Sequence, residues 1–384
     1  MILQLPLAWL QLTREKSRLL VAIAGIAFAV ILIFMQLGFM NALYDSATAP
    51  HRNLRADLVM INPQSQVLYT VQSFPRQRLY QAQRVEDVES VSFLYVSLGN
   101  WKNPQTRRSR SILIFAFDPA KPAFKFPGVK QNLDRLKLAD EVIFDRLSRP
   151  EFGPIAEEFE KNKTVETEVN GTRVKVGGLF SMGTSFSADG HMITSDSNFL
   201  HIFKNRTQDK IDVGLINLKP GANPQKVIKE LSAILPDDVR LLTLEDFAKL
   251  EKDYWENSAA LGFIFGLGAV MGFIVGAVIV YQIIYTDVSE HLSEYATLKA
   301  MGYKHIFLLG IVFQESLLLA ILGYIPGFLI SQIMYDSIRS ETNLPVLMSF
   351  FLAIFVLILA FLMCFIAGAI AMRKLRYADP ADIF

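Results

Sequence analysis

Residues 257–286 read NSAALGFIFGLGAVMGFIVGAVIVYQIIYT, a run with no charged side chain, closed by Glu256 on one side and Asp287 on the other. A helix rises 1.5 Å per residue, so roughly 20 apolar residues cross the hydrocarbon core of a bilayer. This run is long enough. Three more stretches have the same character. Residues 19–44 lie between Arg18 and Asp45, residues 306–335 carry Glu315 as their one charge, and residues 345–372 end at Arg373. A soluble core would have to enclose four such helices on every side, so the pattern predicts four transmembrane α-helices. The first stretch imitates a secretory signal, with basic TREKSR before it and Ala47-Thr48-Ala49 after it. It exceeds the 7–15 residues of a signal core, and Pro50 would directly follow the cut, so a retained anchor is expected.

The composition agrees. Of 384 residues, 52% are hydrophobic and 20% charged, against about 25% charged in an average globular domain. Lys and Arg number 38 and Asp and Glu 37, a net charge of +1. That excludes nucleic-acid binding through bulk charge and a disordered polyelectrolyte. Cys364 is the single cysteine, which excludes an intrachain disulfide and a cysteine-based zinc site.

Short loops that hold Lys and Arg stay in the cytoplasm. Arg14, Lys16 and Arg18 precede the first span, Lys299 and Lys304 separate the second from the third, and Arg373, Lys374 and Arg376 follow the fourth. Both termini and the 287–305 loop are therefore expected inside. Residues 1–18 form a cytoplasmic amphipathic segment, 19–44 the first span, 45–256 a large outer domain and 257–286 the second span. Residues 287–305 form a cytoplasmic loop, 306–335 the third span, 336–344 a short outer loop, 345–372 the fourth span and 373–384 a cytoplasmic tail.

The outer domain mixes strand and helix signals, so an α+β fold is expected. β-rich runs cover Asp57–Asn62, Val91–Leu98, Ser111–Phe117, Val165–Val169, Arg173–Phe180 and Asp212–Leu218. Asn170-Gly171 between two of them is a hairpin signal. Asn223 and Pro224 start one helix, and Thr243 with Asp246 starts another. Nothing but Asn257-Ser258 threatens continuity from there into the second span, and one helix running through is expected.

No phosphate-binding G-x-x-x-x-G-K-[ST] loop, zinc-protease H-E-x-x-H or serine-hydrolase G-x-S-x-G exists in the chain. No ATP hydrolysis, cofactor or metal is expected of this chain. His191 and His201, near Asp189 and Asp196 in a polar stretch, match no metal spacing and read as a solvated loop. Gly262, Gly266, Gly268, Gly272 and Gly276 give the second span a small-residue face. Such a face admits a close neighbour, either in the same chain or in a second copy. Glu315 is an acid inside a span, where a charge is expensive, and reads as functional or as a neutral polar contact. In the 287–305 loop, Leu292, Tyr295, Ala296, Leu298 and Ala300 suit a short surface helix, with Gly302 placed to stop it.

Glu294-Tyr295-Ala296-Thr297-Leu298-Lys299-Ala300-Met301-Gly302 resembles the E-x-A-x-L-K-A-x-G element of FtsX/MacB-type ABC transporter permeases. The order of one span, a large domain and three spans fits, as does the tail Ala378-Asp379-Pro380-Ala381-Asp382-Ile383-Phe384. Three runs are similar to the DevC group of cyanobacterial permeases: Asp57–Gln64, Phe117–Phe124 and Arg373–Pro380. The resemblance implies a non-catalytic permease of the bacterial inner membrane with a MacB-like periplasmic core, working as a homodimer. It implies a separate ABC ATPase, a periplasmic adaptor, a TolC-like outer-membrane channel and a lipid-type cargo such as glycolipid. In that picture Glu290, Glu294, Tyr295, Leu298, Lys299, Met301 and Gly302 couple to the ATPase. An FtsX-like regulator of a cell-wall hydrolase and a lipoprotein-release permease share the topology and are the alternatives.

Overall fold

The computed structural model describes residue 9 and residues 13–258, 260–291, 294, 297–298, 301–303 and 305–377. The chain separates into two compact units. One takes Met1–Asn41, Leu261–Ile338 and Val346–Phe384, and the other Ala42–Ala260 with Arg339–Pro345. The helices that matter most for function are α1 (Lys16–Arg52), α2 (Leu244–Asp253), α3 (Leu261–Glu290), α4 (His305–Thr342) and α5 (Phe350–Tyr377).

In the first unit, α1, α3, α4 and α5 are each long and apolar enough to cross a membrane. Small residues set their spacing. Gly323 and Gly327 of α4 lie against Ile26 and Val30 of α1, and Gly25 of α1 lies against Ile279 of α3. Tyr335 of α4 donates its hydroxyl to the Phe34 carbonyl of α1. Large apolar side chains such as Phe263, Val278, Ile333 and Phe351 point away from the bundle, as lipid-facing residues do.

The second unit is α+β. Among the described residues it holds β1 (Leu58–Ile61), β2 (Phe74–Pro75), β3 (Val88–Lys102), β4 (Ser109–Phe117), β5 (Glu141–Asp145), β6 (Glu166–Val169), β7 (Thr172–Phe180), β8 (His191–Ser195), β9 (Lys210–Ile211), β10 (Val213–Leu218) and β11 (Arg240–Thr243). The main sheet runs β11-β1-β10-β3-β4-β8-β5-β7-β6, and β6 returns to β3 through Trp101 and Val169. The pairs β4/β8 and β5/β7 are parallel and the others antiparallel. The hairpin between β6 and β7 turns on Asn170 and Gly171, with φ of 50° and 78°. Those left-handed values are what Asn-Gly supplies cheaply. Asn223 caps the Pro224–Ile234 helix by accepting from Gln225 and Lys226 N–H, and Thr243 caps α2 by accepting from Asp246 N–H.

Two sequence expectations need correction. Residues 191–195 lie in a polar stretch but form β8, every residue of which is buried, between β4 and β5. The path from α2 to α3 is not one helix. α2 ends at Asp253, a π-helical turn covers Tyr254–Ser258, Ala260 has φ of 57°, and α3 starts at Leu261. The π turn adds a residue to the helical repeat. It leaves Trp255 buried, where its indole N–H donates to Glu251 at 2.9 Å. The left-handed Ala260 then breaks the helical hydrogen-bond ladder.

Candidate functional site

At the end of the first unit where α1 begins and α3 ends, five charged residues converge. Nη1 and Nη2 of Arg18 donate to Glu290 Oε2 and Oε1 at 2.5 and 3.0 Å. Arg18 also lies 3.1 Å from Glu15, and Arg14 lies 3.5 Å from Glu294. Two expected coupling acids, Glu290 and Glu294, are thus engaged by the basic residues that precede the first span. The sequence singled out Arg14 and Arg18 only as topology charges. Their spacing of four matches that of Glu290 and Glu294, a signal that could have pointed to a shared partner.

Gly302 has φ of 90°, and the N–H of Tyr303 reaches the Leu298 carbonyl at 3.2 Å. That six-to-one bond over a left-handed glycine is a Schellman helix stop. Met301 is 63% exposed, and Leu298 is half-buried. Tyr295 and Lys299 lie outside the described residues, as do Leu292, Ala296 and Ala300.

Behind the Arg18–Glu290 pair sits a cavity of about 20 Å³, lined by Arg18, Asp287 and Glu315 with Ala22, Ile284 and Leu319. It has room for one water. Glu315 is 2% exposed, and its Oε1 has no hydrogen-bond partner among the described residues. A neutral polar contact of Glu315 is therefore not made through that oxygen.

The glycine face of α3 divides. A Cβ on Gly268 would meet Gln36, on Gly272 Ile33 and Leu32, and on Gly276 Ala29 and Met363. These three pack within the chain, chiefly on α1. Gly262 is buried as well. Gly266 faces open space, with no atom within 4 Å of its would-be Cβ.

No group of three or more His, Cys, Asp or Glu among the described residues could hold a metal ion. His191 Nδ1 lies 3.3 Å from Asp145 in the buried sheet, and the exposed His201 lies 3.0 Å from Asp140.

The fold and this charged end define a multi-pass membrane protein with a large α+β domain between its first and second membrane helices. A family model described as the MacB-like periplasmic core domain matches residues 19–234, and one described as the FtsX-like permease C-terminal matches residues 266–380. The chain belongs to the MacB/FtsX family of ABC transporter permeases. No curated protein matches it. Among solved structures, the periplasmic region of MacB from Actinobacillus actinomycetemcomitans is 12% identical, covers 54% of this chain and 96% of its own, and has a TM-score of 0.35. The extracellular domain of the noncanonic ABC-type transporter YknZ from Gram-positive bacteria is also 12% identical, covers 49% and 100%, and has a TM-score of 0.34.

Proposed function

We propose that the chain is the permease subunit of a tripartite ABC exporter that transmits ATPase motion to its α+β domain. Two copies pair in the bacterial inner membrane with their termini in the cytoplasm. The ATPase binds the 287–305 loop through Glu290, Glu294, Tyr295, Leu298, Lys299, Met301 and Gly302. The α+β domain works with a periplasmic adaptor and a TolC-like channel. The cargo is a lipid, a glycolipid by the resemblance to the DevC group. The chain itself holds no cofactor, and ATP is bound by the partner.

The observation that carries this reading is the pairing of a periplasmic core and a permease C-terminal region in one chain that has no phosphate-binding loop. The experiment is crosslinking in cells, purification and identification of what copurifies. An ATPase and an adaptor support export. A cell-wall hydrolase in place of the adaptor, or a soluble lipoprotein carrier, overturns it. A reporter fused after Phe384 should read cytoplasm and one at Asn205 the outside.

A further inference from the structure

His51 stands in the last turn of α1 and Glu251 in the third turn of α2. Both side chains are enclosed, at 0% and 3% exposed, with His51 Nε2 3.5 Å from Glu251 Oε2. That gap is too long for a good hydrogen bond and short enough for a small movement to close it. Among the described residues neither imidazole nitrogen makes a hydrogen bond of good geometry, the backbone of Ala47 one turn back being its nearest polar contact besides Glu251. The Glu251 carboxyl also accepts from the Leu68 N–H at 2.8 Å and from the Trp255 indole at 2.9 Å, and the His51 ring lies 4.4 Å from that of Phe247. One carboxyl therefore gathers the end of α1, the body of α2, the turn Leu68–Thr70 and the π turn Tyr254–Ser258.

The other ionisable groups nearby do not neutralise it. Arg52, next along α1, is 3.2 Å from Asp45. Lys252 lies over the Tyr44 ring. Tyr69 is pushed up to about 12 by burial and by its hydrogen bond to Tyr254, and stays neutral. β1 has no ionisable residue, and Arg240 of β11 is exposed. Burial pushes the Glu251 carboxyl up to about 7, against the opposing pull of Trp255 and Leu68. An unpaired buried charge is expensive, whereas a protonated carboxyl can donate to the vacant imidazole nitrogen.

We propose that His51 and Glu251 form a protonation-sensitive latch, which fastens the end of α1 to α2 while the carboxyl carries its proton and loosens when the carboxyl ionises. A carboxyl raised above its ordinary range stabilises the folded state fully below that range. The contribution is lost as pH climbs from there through about 7. The latch goes beyond the proposed export function, and its test needs neither ATPase nor cargo.

The intact chain in nanodiscs is followed by thermal unfolding and by tryptophan emission from pH 5 to pH 9. Trp9 and Trp101 also emit, so the signal read is the difference between wild type and Glu251→Gln, a carboxyl that cannot ionise. The wild type should show an emission transition centred near pH 7 and an unfolding midpoint that falls between pH 6 and pH 8. Glu251→Gln should keep the pH 6 behaviour throughout, and His51→Phe, which removes the acceptor, should move the transition to lower pH. Two results overturn the latch. One is an identical pH course in wild type and Glu251→Gln. The other is a Glu251→Gln chain already loosened at pH 6, which would mark an ion pair instead. If Glu251→Gln does not fold, an unmoved transition in His51→Phe overturns it.

Discussion

Arg18 and Glu290 are 272 residues apart in the chain and form a two-pronged ion pair at 2.5 and 3.0 Å. The pair joins the start of α1 to the end of α3, beside the cavity that Glu315 lines. Its two parallel N–H···O bonds fix orientation as well as distance, which a lysine in place of Arg18 would not do. The acids expected to meet an ATPase are thus already part of a surface that includes the segment before the first span.

Charge reversal tests that surface. Arg18→Glu and Glu290→Arg each break the pair and should weaken capture of the partner ATPase. The double swap, which restores opposite charges, should recover only the part that depends on the pair. Pull-down at low salt measures all three, because exposed ion pairs are screened by salt. A swap that recovers nothing shows that the pair adds nothing to ATPase binding beyond the contact Glu290 makes itself.

The loop beyond α3 should divide by chemistry. Leu298→Asp and Glu294→Lys should weaken ATPase binding while the chain still inserts. Truncation at an interface hot spot costs about 2 kcal/mol or more, roughly a 30-fold loss. Gly302→Val forces a branched side chain into φ of 90° and strains the turn that the Tyr303–Leu298 bond closes. It should leave binding partly intact and uncouple hydrolysis from export. The readouts are pull-down and ATPase stimulation in liposomes. Wild-type behaviour in both Leu298→Asp and Glu294→Lys would reduce the loop to a connector.

The glycines of α3 should separate in the same way. Gly276→Leu drives a side chain into Ala29 and Met363, and overpacking of this kind costs about 1–3 kcal/mol. Its unfolding midpoint in nanodiscs should drop. Gly266→Leu meets nothing within 4 Å and should change chain stability by less than about 0.5 kcal/mol. If Gly266 lies where two copies meet, the same substitution lowers the crosslinked dimer fraction and leaves folding alone.

In the α+β domain, Arg206 donates to both oxygens of the enclosed Asp212 at 2.7 and 2.6 Å. Arg206→Met strands that carboxylate, a change that typically costs about 3–5 kcal/mol. Burial already holds the Asp212 carboxyl above its ordinary range despite the pull of Arg206. Without Arg206 it should rise further, and a raised carboxyl loses stability as pH rises. The deficit of the variant in unfolding midpoint should therefore be larger at pH 8 than at pH 5. An equal deficit at both would show that the carboxyl does not titrate in that window.

The amino-acid sequence by itself determined the four membrane helices, because a bilayer crossing asks only for a continuous apolar run of sufficient length, a local property. It also determined the hairpin at Asn170-Gly171 and the helix starts at Asn223 and Thr243, since those depend on the conformational freedom or hydrogen-bonding reach of one or two neighbouring residues. Tertiary structure alone decided the rest. Neither β5 nor β8 stands out as a strand in the sequence, yet both are buried along their whole length. Asp145 of β5 accepts from the N–H groups of Leu147, Met182 and Gly183 and lies 3.3 Å from His191 of β8, 46 residues away. The break at Ala260, the division of the glycine face and the pairing of Arg18 with Glu290 have the same origin. Each is settled by which distant segments pack together, and a buried polar or small residue takes its meaning from a partner that no local period can specify.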